Sequence, residues 1–265
     1  MVAMGRLEDI RLSFNQVAQI YDDVRPSYPP ALFDTLFEML PPRPEIVEVG
    51  PGTGQATKDL LARGATVQGI EIGPAMAALL RANLPTDCLR IRVGDFEKLD
   101  IPPASADAVF SAAAYHWITP AAQTDQPARI LREGGVLAVV GLVQVDSPTD
   151  HGFFAAATPI WERYGETDTD LPAPTRDRAD SAIRAVLEAD GRFSEVAIHR
   201  YDCDQSYSAS DYRKLMISYS DVQMMDDARR VGLLDDMESF VRSDFGGRVT
   251  RPLVAVLTTA TLSPR

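Results

Sequence analysis

The residues best placed to do chemistry in this chain lie in one short stretch, Val47-Glu48-Val49-Gly50-Pro51-Gly52-Thr53-Gly54-Gln55. Three alternating glycines follow an apolar run and precede a helix-like segment. Glycine lets the backbone turn sharply and lets a ligand approach with no Cβ in the way. The helix that follows offers N–H groups and the positive end of its dipole. The pattern is G-x-G-x-G. A dinucleotide site asks for G-x-G-x-x-G, and the third glycine fails here, falling on Gln55 counted from Gly50 and on Thr57 counted from Gly52. A phosphate loop would end in Gly-Lys-Ser/Thr, which is absent. The turn suits a ligand whose own carboxylate and amino groups lie against it. A plain strand-to-helix turn is the alternative reading.

Two acids follow at telling distances. Glu71 ends the next strand-like run, seventeen positions after Gly54. A carboxylate there can accept hydrogen bonds from both hydroxyls of a ribose. Asp95 ends the third run in Val93-Gly94-Asp95-Phe96. It can accept from an adenine amino group, the Phe96 backbone N–H can serve a ring nitrogen, and the Phe96 side chain can cover the base. Singly, each acid reads equally well as a solvated or turn residue.

The elements that must position these residues alternate. Spacing predicts a helix over 31–39, stopped by Pro41-Pro42-Arg43-Pro44. A strand holding Ile46, Val47 and Val49 follows, then a helix over 55–63, a strand over 66–70 and a helix over 74–83 with Pro74 in its first turn. Strands are predicted over 89–93 and 106–111, a helix over 120–131, a turn at Glu133-Gly134-Gly135 and a strongly apolar strand over 136–143. Such alternation argues for a parallel sheet covered by helices on both faces. Beyond it come a helix over 152–164, an exposed loop over 165–178, a helix over 179–189 and a strand over 196–201. Helices over 209–219 and 223–242, a Gly246-Gly247 turn and a final strand over 248–259 complete the chain.

Composition narrows the partners. The 265 residues carry 26 Lys+Arg against 38 Asp+Glu, a formal charge of −12. Such a surface repels phosphate backbones, and the closest basic cluster, Arg176 and Arg178, is interleaved with Asp177 and Asp180. No nucleic-acid partner and no membrane partner is expected, since no apolar run approaches a span. Cys88 and Cys203 have no metal or redox spacing and read as two free thiols, buried or half-buried; no metal is expected. The opening MVAMGRLEDIRL has no apolar signal region, so the expectation is a cytoplasmic protein, monomer or homodimer.

Taken in order, VEVGPGTGQ, GIE, GDFEKL, DAVFSAAAYHWI and LREGGVLAVV resemble the class I S-adenosylmethionine (SAM)-dependent methyltransferases. The likeness is to the small-molecule type near the ubiquinone/biotin-synthesis and trans-aconitate enzymes. It covers about residues 10–145 and extends loosely through the C-terminal strand pair. It implies an α/β, Rossmann-like, seven-stranded, mostly parallel sheet with an antiparallel last strand. It also implies a single methyltransferase domain over 1–265, capped by a helical N-terminal arm (1–40) and insertions at 147–178 and 205–245.

By position, the resemblance implies that Glu48, Gly50, Gly52 and Gly54 line the methionine end of SAM. Glu71 would bind the ribose, Ile72 flank the adenine, and Asp95 and Phe96 hold it. Ala112 and Ala113 would sit beside the sulfonium. The segment Phe14 to Pro29 is similar to one that folds over the cofactor in these enzymes. It makes Tyr21 and Arg25 cofactor-binding candidates, with Arg25 near the SAM carboxylate, and Tyr28 a residue closing the pocket. His116 in Tyr115-His116-Trp117 is a candidate base, needed only if the acceptor's nucleophile carries a proton of high pKa; the other reading packs His116 and Trp117 in the loop after the fourth strand. Tyr115, Trp117 and Tyr219, within Ser218-Tyr219-Ser220, are candidates for the acceptor pocket, with Phe153 and Trp161 as apolar walls or core. The implied activity is methyl transfer to a small-molecule acceptor. The alternatives are a SAM-binding or sensing protein without turnover and, against the missing glycine, an NAD-dependent oxidoreductase.

Overall fold

The apolar runs at Glu45–Val49 (β1), Thr66–Glu71 (β2), Leu89–Val93 (β3) and Ala106–Ala112 (β4) form adjacent parallel strands. The structure is a computed structural model that describes residues 17–166 and 172–264. The start of the expected arm, including Phe14, Asn15 and Gln16, and 167–171 of the expected loop lie outside the described residues. Leu131–Gln144 (β5), Phe193–Asp202 (β6) and Leu253–Leu262 (β9) complete a seven-stranded sheet in the order β3-β2-β1-β4-β5-β9-β6. It is mostly parallel with one antiparallel strand, a Rossmann-like sheet as the resemblance implied.

Helices begin where their caps allow. Ala18–Val24 (α1) opens the described chain, and Pro30–Glu38 (α2) has proline at its first position, where a missing N–H costs nothing. Thr57–Ala62 (α3) follows the glycine turn, and Pro74–Asn83 (α4) again starts on proline. Ala122–Ile130 (α5) precedes β5. Phe153–Arg163 (α6), Ile183–Ala189 (α7), Ala209–Ile217 (α8), Ser220–Gln223 (α9) and Asp227–Asp244 (α10) lie in the second half.

Several expectations need correction. The helix read over 179–189 begins only at Ile183, after a 3-10 turn at Arg176–Arg178. The helix read over 223–242 begins only at Asp227, because the Asp226 side chain accepts from the Arg229 backbone N–H and caps its start, and a short separate helix ends at Gln223. Glu133-Gly134-Gly135 is a bulge inside β5: the pairing jumps from Ala106↔Leu131 to Ala108↔Val136, with Gly134 at φ +75. The final strand splits at Pro252, which has no N–H to give a ladder. Arg248–Arg251 (β8) pairs antiparallel with Gln205–Ser208 (β7), a strand the periodicity missed, in a separate two-stranded sheet. Cys88 is exposed, against the expected burial, while Cys203 is buried; both are free.

The chain divides into two units. One comprises the described residues up to Pro26 and those of 144–179 and 202–254 that the structure describes. Its core gathers Phe153, Phe154, Tyr212, Met216, Leu233 and Val241, with Phe153 meeting the rings of Phe154, Tyr212, Phe240 and Phe245. This assigns Phe153 to core packing; Trp161 packs against the same cluster. The other unit comprises 27–143, 180–201 and 255–264 and is built on the large sheet, with Val47, Val49, Ile70, Val109, Leu137 and Val139 in its core.

Candidate functional site

In a parallel sheet, ligands bind outside the carboxyl ends of strands where the strand order reverses. Here the reversal falls between β1 and β4, which lead away to β2 and β5 respectively. The register aligns the strand tips: Glu48 pairs with Gly69 and Phe110, Glu71 with Val93, and Ala112 with Val140. The glycine turn, Glu71, Gly94-Asp95 and Ala112-Ala113 therefore leave the sheet at one edge.

The turn after β1 is held by its own geometry. Gly50, Gly52 and Gly54 all take positive φ, at +66, +59 and +106, the region that favours glycine. A Cβ on Gly50 would fall 2.5 Å from the Ala114 Cβ, and one on Gly54 2.7 Å from Leu80 Cδ1. The Gly50 N–H donates to the Ile70 carbonyl at 2.9 Å, and Ser111 Oγ donates to the Val49 carbonyl at 2.8 Å. Asn83 Nδ2 donates to the Thr53 carbonyl at 3.1 Å.

The acids meet this turn directly. Glu71 Oε2 accepts from the Gly52 N–H at 2.9 Å, and Oε1 from the Gly73 N–H at 2.8 Å. Burial raises the Glu71 carboxyl above its ordinary value despite those donors. Glu48, 1% exposed, accepts from Thr57 Oγ1 at 2.7 Å. Burial pushes its carboxyl up to about 8, with the neighbouring Glu71 adding to the rise. Asp95 caps its own turn, accepting from the Glu97 N–H at 3.0 Å and pairing with Lys98 at 3.2 Å. Its side chain is 15% exposed.

After β4 the backbone takes a strained step. Ala113 sits at φ +54, costing about 1 kcal/mol or more for a residue with a Cβ, and its N–H donates to the Val140 carbonyl at 2.8 Å. The step turns Ala112 to Ala114 against the glycine turn. Glu97 ties the Asp95 turn to the segment that follows, accepting from the Thr119 N–H and hydroxyl, while Gln126 Nε2 donates to the Glu97 carbonyl at 3.1 Å.

The structure thus brings Glu48, Gly50, Gly52, Gly54, Glu71, Ile72, Asp95 and Ala112 to one edge. It separates other expected residues from that role. The Phe96 ring is 3% exposed in the sheet's core, so it has little area left to cover a base, and only its backbone stays eligible. Tyr28 is buried, its ring edge-on to Phe33, which tilts onto Phe110; it packs rather than lines a pocket.

Tyr115 is likewise buried, its phenol held above its ordinary range by desolvation, and its hydroxyl donates to the Gln123 carbonyl at 2.6 Å. The helical donor for that carbonyl would be residue 127, a proline, so Tyr115 replaces a missing backbone N–H. Tyr115→Phe is expected to cost about 1–3 kcal/mol in urea unfolding by orphaning that carbonyl. The penalty should shrink in a Pro127→Ala background, where an N–H returns; an equal penalty in both backgrounds would refute the assignment. His116 is exposed on the 3-10 turn Tyr115–Trp117, its ring 4.6 Å from the half-buried Trp117 ring.

Tyr21, Arg25 and Tyr219 belong to the other unit and meet there. Arg25 Nε and Nη2 donate to Ser218 Oγ at 3.1 Å and to the Ser218 carbonyl at 2.8 Å. Its guanidinium lies 4.7 Å from the Tyr21 ring centroid and 5.5 Å from that of Tyr219. Sequence reasoning missed Thr57, Ser111, Ala114 and Glu97, and also Arg251, whose guanidinium lies 5.7 Å from the Tyr219 ring, and its acceptor Gln144. Ser111 carried a signal, a polar residue in an apolar strand; the others are ordinary residues placed by tertiary contact.

Among the described residues no group of three His, Cys, Asp or Glu is arranged to hold a metal, and no helix is long and apolar enough to cross a membrane. Residues 47–139 match the family model for a methyltransferase domain. An uncharacterised methyltransferase of Mycobacterium tuberculosis, Rv3342, is 38% identical over 132 residues, 50% of this chain and 53% of that protein. A candidate methyltransferase of Dictyostelium discoideum is 29% identical over 140 residues, 52% of each. The chain spans about half the length of the curated relatives it matches. Among solved structures, a candidate type II methyltransferase from Anaeromyxobacter dehalogenans aligns with TM-score 0.61 at 23% identity, over 90% of this chain and 97% of that one. Phosphoethanolamine N-methyltransferase 2 of Haemonchus contortus, solved with S-adenosyl-L-methionine, aligns with TM-score 0.53 at 13% identity, over 95% and 57%. At these identities the structural likenesses bear on the fold.

Proposed function

We infer, for a chain whose residues 47–139 form a methyltransferase domain on the class I, Rossmann-like fold, that it transfers a methyl group from SAM to a small-molecule acceptor by in-line displacement. The observation that carries this is the Gly52–Glu71 hydrogen bond at the sheet's reversal point, with Asp95 on the next strand tip. One acid can serve a ribose and the other an adenine, beside a turn with no phosphate-binding signature. The donor set also fits the cofactor's charge. Glu48 and Glu71 are buried together and held above their ordinary pKa; a ligand with an ammonium and a sulfonium favours their ionised forms.

SAM supplies an activated methyl on positive sulfur, so the protein's work is positioning and exclusion of water. Gly50, Gly52, Gly54 and Glu48 would receive the methionine end. Glu71 would hold the ribose hydroxyls, and Ile72, Asp95 and the Phe96 backbone the adenine. Ala112 and Ala113 would leave room at the sulfur, their small side chains keeping the space open. His116 would act as base only for an acceptor with a tightly held proton; the Trp117 ring lies beside it, tilted by 45°.

Titration calorimetry should show SAM and S-adenosylhomocysteine binding to the purified chain. Asp95→Ala should weaken both about tenfold, the worth of one charge-assisted hydrogen bond. If neither ligand binds, the reading is lost. Release of S-adenosylhomocysteine in the presence of a metabolite mixture is expected of an enzyme; binding without any release would identify a protein that holds SAM without turnover.

A further inference from the structure

One side-chain bond closes the glycine turn. Thr57, the first residue of α3, donates its hydroxyl to Glu48 Oε2 near the end of β1, at 2.7 Å. The two residues are nine positions apart, so the bond clasps both ends of the segment that holds Gly50, Gly52 and Gly54. Both side chains are buried. A helical threonine ordinarily gives its hydroxyl to the carbonyl three or four residues back. Here the carbonyl four back, that of Thr53, accepts from Asn83 Nδ2 at 3.1 Å, and the Thr57 hydroxyl reaches across the turn instead.

A carboxylate has room for about four donors. Among the described residues Glu48 has the Thr57 hydroxyl, whereas Glu71 has the Gly52 and Gly73 N–H groups. An ionised Glu48 therefore depends on a single hydroxyl. The charged group acting on it is Glu71, which repels it. The other charges on β1, β4 and the helices around it are engaged elsewhere. Glu45 and Asp107 pair with Arg132, Asp34 and Asp59 pair with Arg63, and Arg81 donates to the Ile91 carbonyl. Glu38 and Lys58 are exposed. A buried carboxylate placed in this way is ionised by an arriving cation.

We propose that Thr57 is a positioning residue of the cofactor site, whose hydroxyl holds the Glu48 carboxylate ready to receive the ammonium group of the ligand's methionine end. This rests on the methyltransferase reading. Before binding, Glu48 keeps its proton across the neutral range, since burial pushes its carboxyl up to about 8 while the Thr57 bond opposes the rise. Binding releases that proton to solvent, and the ammonium takes over its role as counter-charge. A hydrogen bond to a carboxylate is stronger than one to a neutral acid. Below pH 8 that strengthening is gained on binding, and above pH 8 it is already present in the free protein. Loss of the Thr57 hydroxyl must therefore weaken binding at low pH and matter little at high pH.

The test compares the full chain with Thr57→Val, which keeps the branched shape without the donor, and with Thr57→Ser, which keeps the donor. S-adenosylhomocysteine is titrated calorimetrically at pH 6, 7.5 and 9. Each variant is read as a ratio to wild type, so titration of the ligand's own amine cancels. Thr57→Val should bind about tenfold more weakly at pH 6, the worth of a hydrogen bond to a charged group, narrowing to about threefold or less at pH 9. Thr57→Ser should stay within about threefold throughout. A Thr57→Val deficit of equal size at every pH makes the bond merely structural and overturns the proposal, as does a Thr57→Ser profile like that of Thr57→Val. Urea unfolding needs no ligand. The Thr57→Val midpoint should lie further below wild type at pH 9 than at pH 6, because the folded state then holds a carboxylate; a gap that does not grow with pH also overturns the proposal. Thr57→Ala carries both measurements if Thr57→Val does not fold. A wild-type chain that binds no S-adenosylhomocysteine at any pH overturns the proposal together with the methyltransferase reading, whereas wild-type binding with a pH-independent deficit overturns the proposal alone.

Discussion

Replacing Glu48 with Gln is expected to remove most of a fall in stability that the wild-type chain shows between pH 4.5 and about 8. The folded protein holds the Glu48 proton up to about 8, whereas the unfolded chain releases it near the ordinary 4.5. Within that window the folded state carries the extra proton, so stability falls as pH rises. Below the window both states are protonated, and above it both are ionised, so the contribution is flat at either end. Each unit of separation is worth about 1.4 kcal/mol, which sets the total on the order of 5 kcal/mol. Gln keeps an oxygen to accept from Thr57 Oγ1 but cannot ionise. The two proteins should therefore differ little near pH 4.5, with the variant gaining by several kcal/mol near pH 8. Urea unfolding followed by circular dichroism at three pH values measures this. A pH-independent difference would mean that Glu48 is ionised in the folded protein. Glu71, also raised by burial, leaves a residual slope of the same sign in the variant. If SAM binds as inferred, its binding should release a proton between pH 6 and 8, visible as a dependence of the calorimetric heat on buffer ionisation enthalpy.

Gly50→Val should abolish S-adenosylhomocysteine binding, by more than about a hundredfold, and destabilise the fold by roughly 2–5 kcal/mol. Two costs add. The backbone at φ +66 is one that a β-branched residue strongly disfavours. The new Cβ would stand 2.5 Å from the Ala114 Cβ, so the turn or the loop after β4 must move. Either movement disturbs the Gly50–Ile70 bond and, two residues on, the Gly52–Glu71 bond. Gly64→Ala separates strain from site. Gly64 has φ +88 and open space where its Cβ would go, so that variant should lose about 1 kcal/mol and keep its affinity. Parallel losses of affinity in both variants would show that global stability, rather than the turn, governs binding.

Much of the first half was legible in the sequence. Its first three strands are short apolar runs closed by Gly or an acid, and α2 and α4 start on proline. Both signals are local, and β1 to β4 begin and end within about one residue of the expected bounds. The second half was less legible because its signals compete. Apolar residues continue through Pro252, so one long strand was expected, and the missing N–H instead divides it between two sheets. Tyr115 and Tyr28 sit in stretches that resemble pocket segments, yet their neighbours enclose them, and burial is a property of packing that composition does not report.

By itself the sequence determined the first four strands, the glycine turn and the two acids at the strand tips, because each depends on residues a few positions apart. Only the tertiary structure decided that Glu71 reaches back to Gly52 and that Tyr115 replaces the donor Pro127 lacks. It alone joined 144–179 and 202–254 to the described arm as one unit, and brought Arg25 and Arg251 to a single tyrosine. These arrangements close long loops, and loop closure is repaid by packing of distant segments rather than by any local preference of the chain.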